Sequence, residues 1–247
     1  MGSPSLEELC AGKKDIVIIS SDHTRPVPSR VTMPILLHHI HSAAPEARVR
    51  ILVATGMHRP STHEELVNKY GEEIVANEEI VMHVATDDSM MKKIGTLPSG
   101  GECIINKIAA DCDLLLAEGF IEPHFFAGFS GSRKSVLPGI ASYKTIMYNH
   151  NGQFVNDSHS RAGNLCHNHV SEDMFAAAEM AHLAFVLNVV LNGKHEVIGS
   201  FAGDIHKAHE AGCEFVKSLA GVEPVECEIA ITTNGGYPLD QKRSIRP

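Results

Sequence analysis

Four short apolar runs set the fold: DIVIIS at 15–20, VRILVA at 49–54, IVMHVA at 80–85 and DLLLA at 113–117. None alternates strictly with polar residues, which marks strands covered on both faces rather than on one. Helix-length stretches separate most of them. A helix over 4–11 is opened by Ser3-Pro4 or Ser5, and another spans 31–43 with Pro34 in its first turn. A third, over 63–70, is capped by Ser61 or Thr62, with Glu64 and Glu65 where the helix dipole favours acids. Further helices are predicted at 141–150, 171–182 and 205–219, and further strands at 184–191, 195–200 and 226–232. Residues 86–101 are polar, 102–109 are ambiguous between strand and helix, and 151–170 read as a surface excursion or flap. Apolar strands alternating with helices give an α/β fold, a largely parallel sheet with flanking helices.

The chain has 247 residues, 43% of them apolar, enough for one large domain or two small ones. Its net charge of -9 argues against non-specific binding to nucleic acid or to an anionic membrane surface. No apolar run approaches a membrane span, and MGSPSLEEL is not a signal peptide. The cysteines form no CxxC pair, so reduced thiols and a cytoplasmic location are expected.

In open α/β sheets ligands bind beyond the carboxyl ends of the strands. Three polar motifs follow strand ends here: DHTRP at 22–26, TGMHRP at 55–60 and EGFIEPH at 118–124. Taken singly, each has a bland reading, such as a local turn pair of Asp22 and Arg25 or a strand-capping His58. Their convergence favours a site. His58 and His124 are the candidate acid–base groups, since an imidazole gives and takes protons near neutrality. Arg25 suits a carboxylate, with Asp22 fixing it by a salt bridge. Arg59 is either a second anion clamp or a surface residue.

The segment 119–139 places His124, Arg133 and Lys134 among Gly119, Gly128, Gly131 and Gly139, where backbone can turn sharply or approach a ligand closely. Lys134 is open to three readings: a phosphate ligand, a nucleophile toward a carbonyl, or a solvated lysine. The stretch is not a GxxxxGK[ST] phosphate loop. His150 has no HExxH or His/Cys companion, and HNH at 167–169 is a weak metal motif. His38, His39 and His41 fall on a partly exposed helix, and the other histidines read as structural or solvated. Asn234, Gly235 and Gly236 form a turn from which Tyr237 and Asp240 can reach a ligand.

DHTRPVPS at 22–29, TGMHRPST at 55–62, GFIEPHFFAGFSGSRKSVLPGI at 119–140, NH at 149–150 and NGGYPLDQ at 234–241 together resemble the nickel-pincer lactate racemase family. The resemblance implies a Rossmann-like N-terminal catalytic and cofactor-binding domain over 1–241, followed by a divergent tail at 242–247. It implies a nickel-pincer nucleotide, pyridinium-3-thioamide-5-thiocarboxylic acid mononucleotide nickel, tethered covalently by Lys134 and ligated through nickel by His150. Ser130, Gly131 and Arg133 would belong to the cofactor site. His58 and His124 would be the acid–base pair, with Arg25 and Asp22 on the substrate. The implied reaction inverts a small 2-hydroxy acid, most simply lactate, by hydride transfer from Cα to the cofactor coupled to proton transfer. The implied partners are that substrate and the enzymes that make the cofactor.

Members of the family are usually two-domain proteins, and the chain resembles one truncated at both ends. That leads to the expectation that activity is lost or very weak. Ser244 and Ile245 stand where a tyrosine-glutamine pair is usual. Ser132 replaces a glycine of the common GGRK loop, which strains the turn if it needs φ > 0. The alternatives are a racemase of another 2-hydroxy acid such as malate, a non-catalytic fragment, or a phosphate- or nucleotide-binding α/β protein using residues 128–135. Oligomeric state is left open.

Overall fold

A computed structural model describes residues 1–223 and 225–229. Of the strand expected over 226–232, residues 226–229 form none, and 230–232 fall outside these residues. So do Asn234, Tyr237, Asp240, Ser244, Ile245 and the tail at 242–247.

In chain order the elements are α1 (Leu6–Cys10), β1 (Asp15–Ser21), α2 (Ser29–Ala43), β2 (Arg48–Ala54), α3 (His63–Tyr70), α4 (Glu72–Asn77) and β3 (Glu79–Met82). Next come β4 (Met91–Thr96), β5 (Glu102–Asn106), α5 (Lys107–Ala110), β6 (Leu114–Phe120), β7 (Pro123–His124), β8 (Gly128–Phe129) and α6 (Arg133–Val136). The last are α7 (Tyr143–Asn149), α8 (Gly152–Val155), α9 (His169–Met180), β9 (Leu183–Leu191), β10 (Val197–Gly203) and α10 (Lys207–Ala220).

The central sheet runs β10-β9-β6-β1-β2-β3. β3, β2, β1, β6 and β9 are mutually parallel, and β10 closes one edge antiparallel to β9. This is the expected α/β class. The continuous apolar runs are explained by burial on both faces. Ile16 and Ile18 of β1 pack with Ile51 and Val53 of β2 against Met33, Leu36, Leu37 and Ile40 of α2. The alternate residues Val17, Ile19 and Leu52 face the opposite layer, which holds Val136, Ile146, Val170 and Met174.

Local signals behave as chemistry dictates. Ser5 and Thr62 both close capping boxes, with Glu8 and Glu65 respectively. Two expectations need correction. α2 begins at Ser29, so Pro34 lies in its second turn. The supposedly polar stretch 86–101 contains β4, which pairs antiparallel with β5, and 102–109 resolves into strand β5 followed by α5. None of the described helices is long and apolar enough to cross a membrane. Cys10, Cys103 and Cys213 are free, buried thiols.

Candidate active site

Strand order reverses around β1. β2 and β3 lie to one side, β6 and β9 to the other. Such a reversal opens a crevice at the carboxyl ends of the strands. Three loops enter it, after Ser21 of β1, Ala54 of β2 and Phe120 of β6, and the in-register pairing Ser21↔Ala54 sets the first two side by side. The resulting cavity, about 300 Å³, is lined by Asp22, Arg25, His58, His124, Lys134 and His150. Ser130 and Gly131 also line it, whereas Arg133 does not.

Asp22 is almost wholly buried, and its expected salt bridge to Arg25 is absent. Its carboxylate instead accepts from His58 Nδ1 at 2.6 Å and from the Thr24 hydroxyl and backbone N–H at 2.6 and 3.0 Å. Burial alone would raise the Asp22 pKa, but the bonds from His58 and Thr24 outweigh it and hold the carboxyl below its ordinary value. Asp22 thus orients a histidine rather than an arginine. The Arg25 guanidinium, half-buried, has no hydrogen bond or ion pair among the described residues.

His124 is carried by the β7–β8 hairpin, where it pairs with Gly128. Gly128 has φ +78, and a Cβ there would lie 2.3 Å from the Asn164 carbonyl oxygen, so only glycine fits. The His124 ring stacks on Phe125 and meets Phe126 edge-on, both at 4.7 Å between centroids. Phe126 meets His150 edge-on at 5.0 Å. Burial, with Lys134 and Arg25 nearby, holds the His124 pKa far below the usual histidine range. His124 Nδ1 accepts the Ala127 N–H at 3.3 Å, which assigns the ring proton to Nε2. For His58 the Asp22 carboxylate assigns it to Nδ1. The two candidate acid–base groups therefore rest in opposite tautomers, one with a bare Nε2 and one with a protonated Nε2.

Lys134 is half-buried, facing the cavity. Its ammonium lies 5.8 Å from the Phe126 ring centroid and makes no hydrogen bond among the described residues. Burial, Arg133 and Arg25 depress its pKa well below the lysine value, against a smaller opposing pull from Glu122. A neutral amine is a nucleophile. His150 caps the carboxyl end of α7, and burial and then Lys134 bring its pKa down to about 4. Its Nδ1 is buried and unbonded.

Arg133 has a different role from the one expected. It is fully buried and donates to the carbonyls of Ala127, Phe129 and Ser130, to Ser171 Oγ and to His209 Nε2. It braces the loop that presents Lys134. Ser132 adopts φ -36, so it carries no left-handed strain, and Gly131 takes the positive φ of +99 instead. A phosphate cradle at 128–135 has few free donors. The N–H groups of Ser130, Ser132, Lys134 and Ser135 go to Glu122 O, Asn188 Oδ1, Gly131 O and Ser132 O. Arg59 pairs with Glu65 outside the cavity. Sequence reasoning missed Phe126 as the ring between the two histidines, although the FF of PHFF was a signal. It also missed Asn188 and Ser171, which lie far along the chain and carry no local signal, while His209 is structural, one of the two readings given to it.

Among the described residues no group of three or more His, Cys, Asp or Glu side chains could hold a metal ion.

The sequence model of the lactate racemase N-terminal domain matches residues 1–163. A lactate racemase of Lactiplantibacillus plantarum is 69% identical over 241 residues, which are 98% of this chain and 57% of that protein. A lactate racemase of Thermoanaerobacterium thermosaccharolyticum is 54% identical over the same shares of each. The chain thus spans little more than half the length of these curated relatives. The structure of the lactate racemase apoprotein from T. thermosaccharolyticum superposes with a TM-score of 0.95 over 98% of this chain and 58% of that one. A Thermotoga maritima protein at 23% identity shares the fold, with a TM-score of 0.73 over 86% of this chain and 57% of its own. The matched motifs, the sheet and the sequence identity agree, and the chain belongs to the lactate racemase family.

Proposed function

We propose that this chain holds the cofactor and supplies the acid–base pair of an enzyme that racemises a small 2-hydroxy acid, lactate foremost. One observation carries the reading: Arg25, His58, His124, Lys134 and His150 line a single cavity of about 300 Å³. The relatives' name, lactate racemase, supports the choice of substrate.

We infer that the group held here is the pyridinium-3-thioamide-5-thiocarboxylic acid mononucleotide of nickel. The fit rests on three features: the unbonded buried Nδ1 of His150, the unpartnered amine of Lys134 and the lack of a protein-only metal site among the described residues. Sulfur donors on the small molecule plus one imidazole suit nickel. The chemistry that such a group would supply when bound is a reversible acceptor for the hydride of the substrate Cα. Lys134, whose amine has a depressed pKa, would be the group's tether, and His150 would be the protein ligand to its metal. Arg25 clamps the substrate carboxylate. His58, with Nδ1–H held by Asp22, offers Nε2 to take the hydroxyl proton. His124 serves the opposite pose: as an imidazolium, the form its surroundings disfavour, it returns the hydroxyl proton from Nε2 and is left neutral. In the reverse direction the roles exchange. We place this machinery in one domain over 1–241, in a cytoplasmic setting, dependent on the enzymes that make the cofactor.

The test is intact mass and metal analysis of the chain produced with the cofactor-making enzymes, with chiral analysis of lactate. A covalent mass increase and about one nickel per chain are expected, both lost in Lys134→Ala. A full adduct persisting in that variant would assign the tether elsewhere. A folded chain that stays unmodified and metal-free and leaves D-lactate unchanged would overturn the reading.

A further inference from the structure

A second cavity, about 390 Å³, lies against the 22–29 loop, the start of α2 and the last turn of α3. Arg25 lines both this cavity and the cleft. Its other charged walls are Arg30, Lys69 and Glu65, with His23 at its side. Glu65 is already satisfied, since its two oxygens take the Arg59 guanidinium at 2.6 and 2.8 Å and one also takes the Thr62 N–H. Among the described residues the three cations have no carboxylate in contact. Arg30 is held by the carbonyls of Val67 and Asn68, Lys69 donates to the neutral Ser21 hydroxyl at 3.1 Å, and Arg25 donates to nothing among the described residues. Behind Lys69 lie two buried carboxylates, both occupied. Asp22 holds His58 and Thr24, and Glu118 accepts from the hydroxyls of Ser20, Ser29 and Thr32 at 2.5–2.6 Å. Burial lowers the Lys69 pKa, and Glu118 and Asp22 oppose that pull in part. Each accepts three hydrogen bonds, and neither is hydrogen-bonded to Lys69 among the described residues.

Three cations without carboxylate contacts, around a cavity of small-molecule size, have the donor set of an oxyanion site. We propose that this cavity is a second oxyanion site that takes a carboxylate or a phosphate between Arg25 and Lys69, with Arg30 at its rim. An anion there engages the guanidinium that the cleft needs, so small oxyanions compete with substrate without entering the cleft. That consequence rests on the reading of Arg25 as the carboxylate clamp, whereas the site itself does not.

The experiment is titration of the isolated chain with inorganic phosphate, and separately with acetate, at constant ionic strength. Binding is followed by calorimetry and by amide NMR shifts. Saturable binding is expected for at least one of the two, which identifies the oxyanion class. Lys69→Met weakens it at least tenfold, as does Asn68→Asp, which puts a carboxylate on the exposed lip of the cavity and tests the site independently of the buried lysine. Lys134→Met leaves it within twofold. No saturable binding of either anion, or binding indifferent to both Lys69→Met and Asn68→Asp, overturns the proposal. Loss in Lys134→Met with retention in Lys69→Met places the anion in the cleft and overturns it as well. None of these results depends on cofactor loading, so failure here is distinguishable from failure of the racemase reading.

Discussion

His58 and His124 are chemically the same side chain in two opposed settings. His58 is 42% exposed and leans on a buried carboxylate, whereas His124 sits among phenylalanines beside two cations. A carboxylate partner stabilises the imidazolium that forms when His58 takes a proton, and it fixes which nitrogen is bare. Asp22→Asn removes that charge while keeping the shape. In the racemase proposed above, turnover is expected to fall by about 10²–10⁴-fold, the range of a positioned acid–base group. Nitrogen NMR of the His58 ring should show the Nδ1–H tautomer losing its dominance, and an unchanged tautomer would show that Asp22 does not set it. The motif DHTRP disclosed Asp22 and Arg25 but suggested that they pair with each other, because they are three residues apart in a turn. The true partner, 36 residues on, is visible only once the parallel register brings the β1 and β2 loops together.

The loop from β7 to α6 owes its shape to one buried cation. Arg133 ties down three backbone carbonyls of that loop, and beside it His209 and Ser171 accept from the same guanidinium. Arg133→Met removes a donor from each of these carbonyls; Ala127 O keeps the Phe129 N–H and Ser130 O has His209 Nε2 at 2.9 Å, so the cost is about 1–3 kcal/mol for each one left unpaired. Urea denaturation should show a loss of about 1–3 kcal/mol or more. A loss under about 1 kcal/mol would mean that the loop holds without its brace. The adjacent Arg-Lys pair reads in sequence as one basic feature, yet one member faces the core and the other the cavity. Nothing local separates them, since the acceptors that claim Arg133 include α9 and α10. The buried strands were legible because continuous apolar runs have few other uses. The β4–β5 hairpin was not, because MKKIGT puts two lysines on an edge ribbon with partial burial and so gives little alternation. α4 was hidden likewise, as six residues directly after α3 carry no apolar period of their own.

At the scale of the molecule, several histidines are buried neutral, two of them outside the cavity. His83 is pulled down to about 4 by burial against a hydrogen bond to the Ala141 carbonyl, and His209 to about 3 by burial and Arg133. In the unfolded chain both titrate near 6.5. Between that value and the folded pKa the unfolded state binds more protons, so stability falls as pH falls, by about 1.4 kcal/mol per pH unit for each group. Denaturation midpoints should therefore drop steadily from pH 6.5 toward 5. His83→Gln should flatten part of the slope, and a midpoint constant over that range would contradict the buried neutral state. The strand order has a further consequence, in the time the amides take to exchange. The loops bearing Asp22, His58 and His124 all spring from β1, β2 and β6, each hydrogen-bonded on both sides, while β3 and β10 form the edges. Edge strands open locally, but central strands exchange only when the whole domain unfolds. Deuterium should therefore enter Val197–Gly203 early and Ile16–Ser20 last. A molecule already fraying at its rim would keep the frame of its chemistry intact.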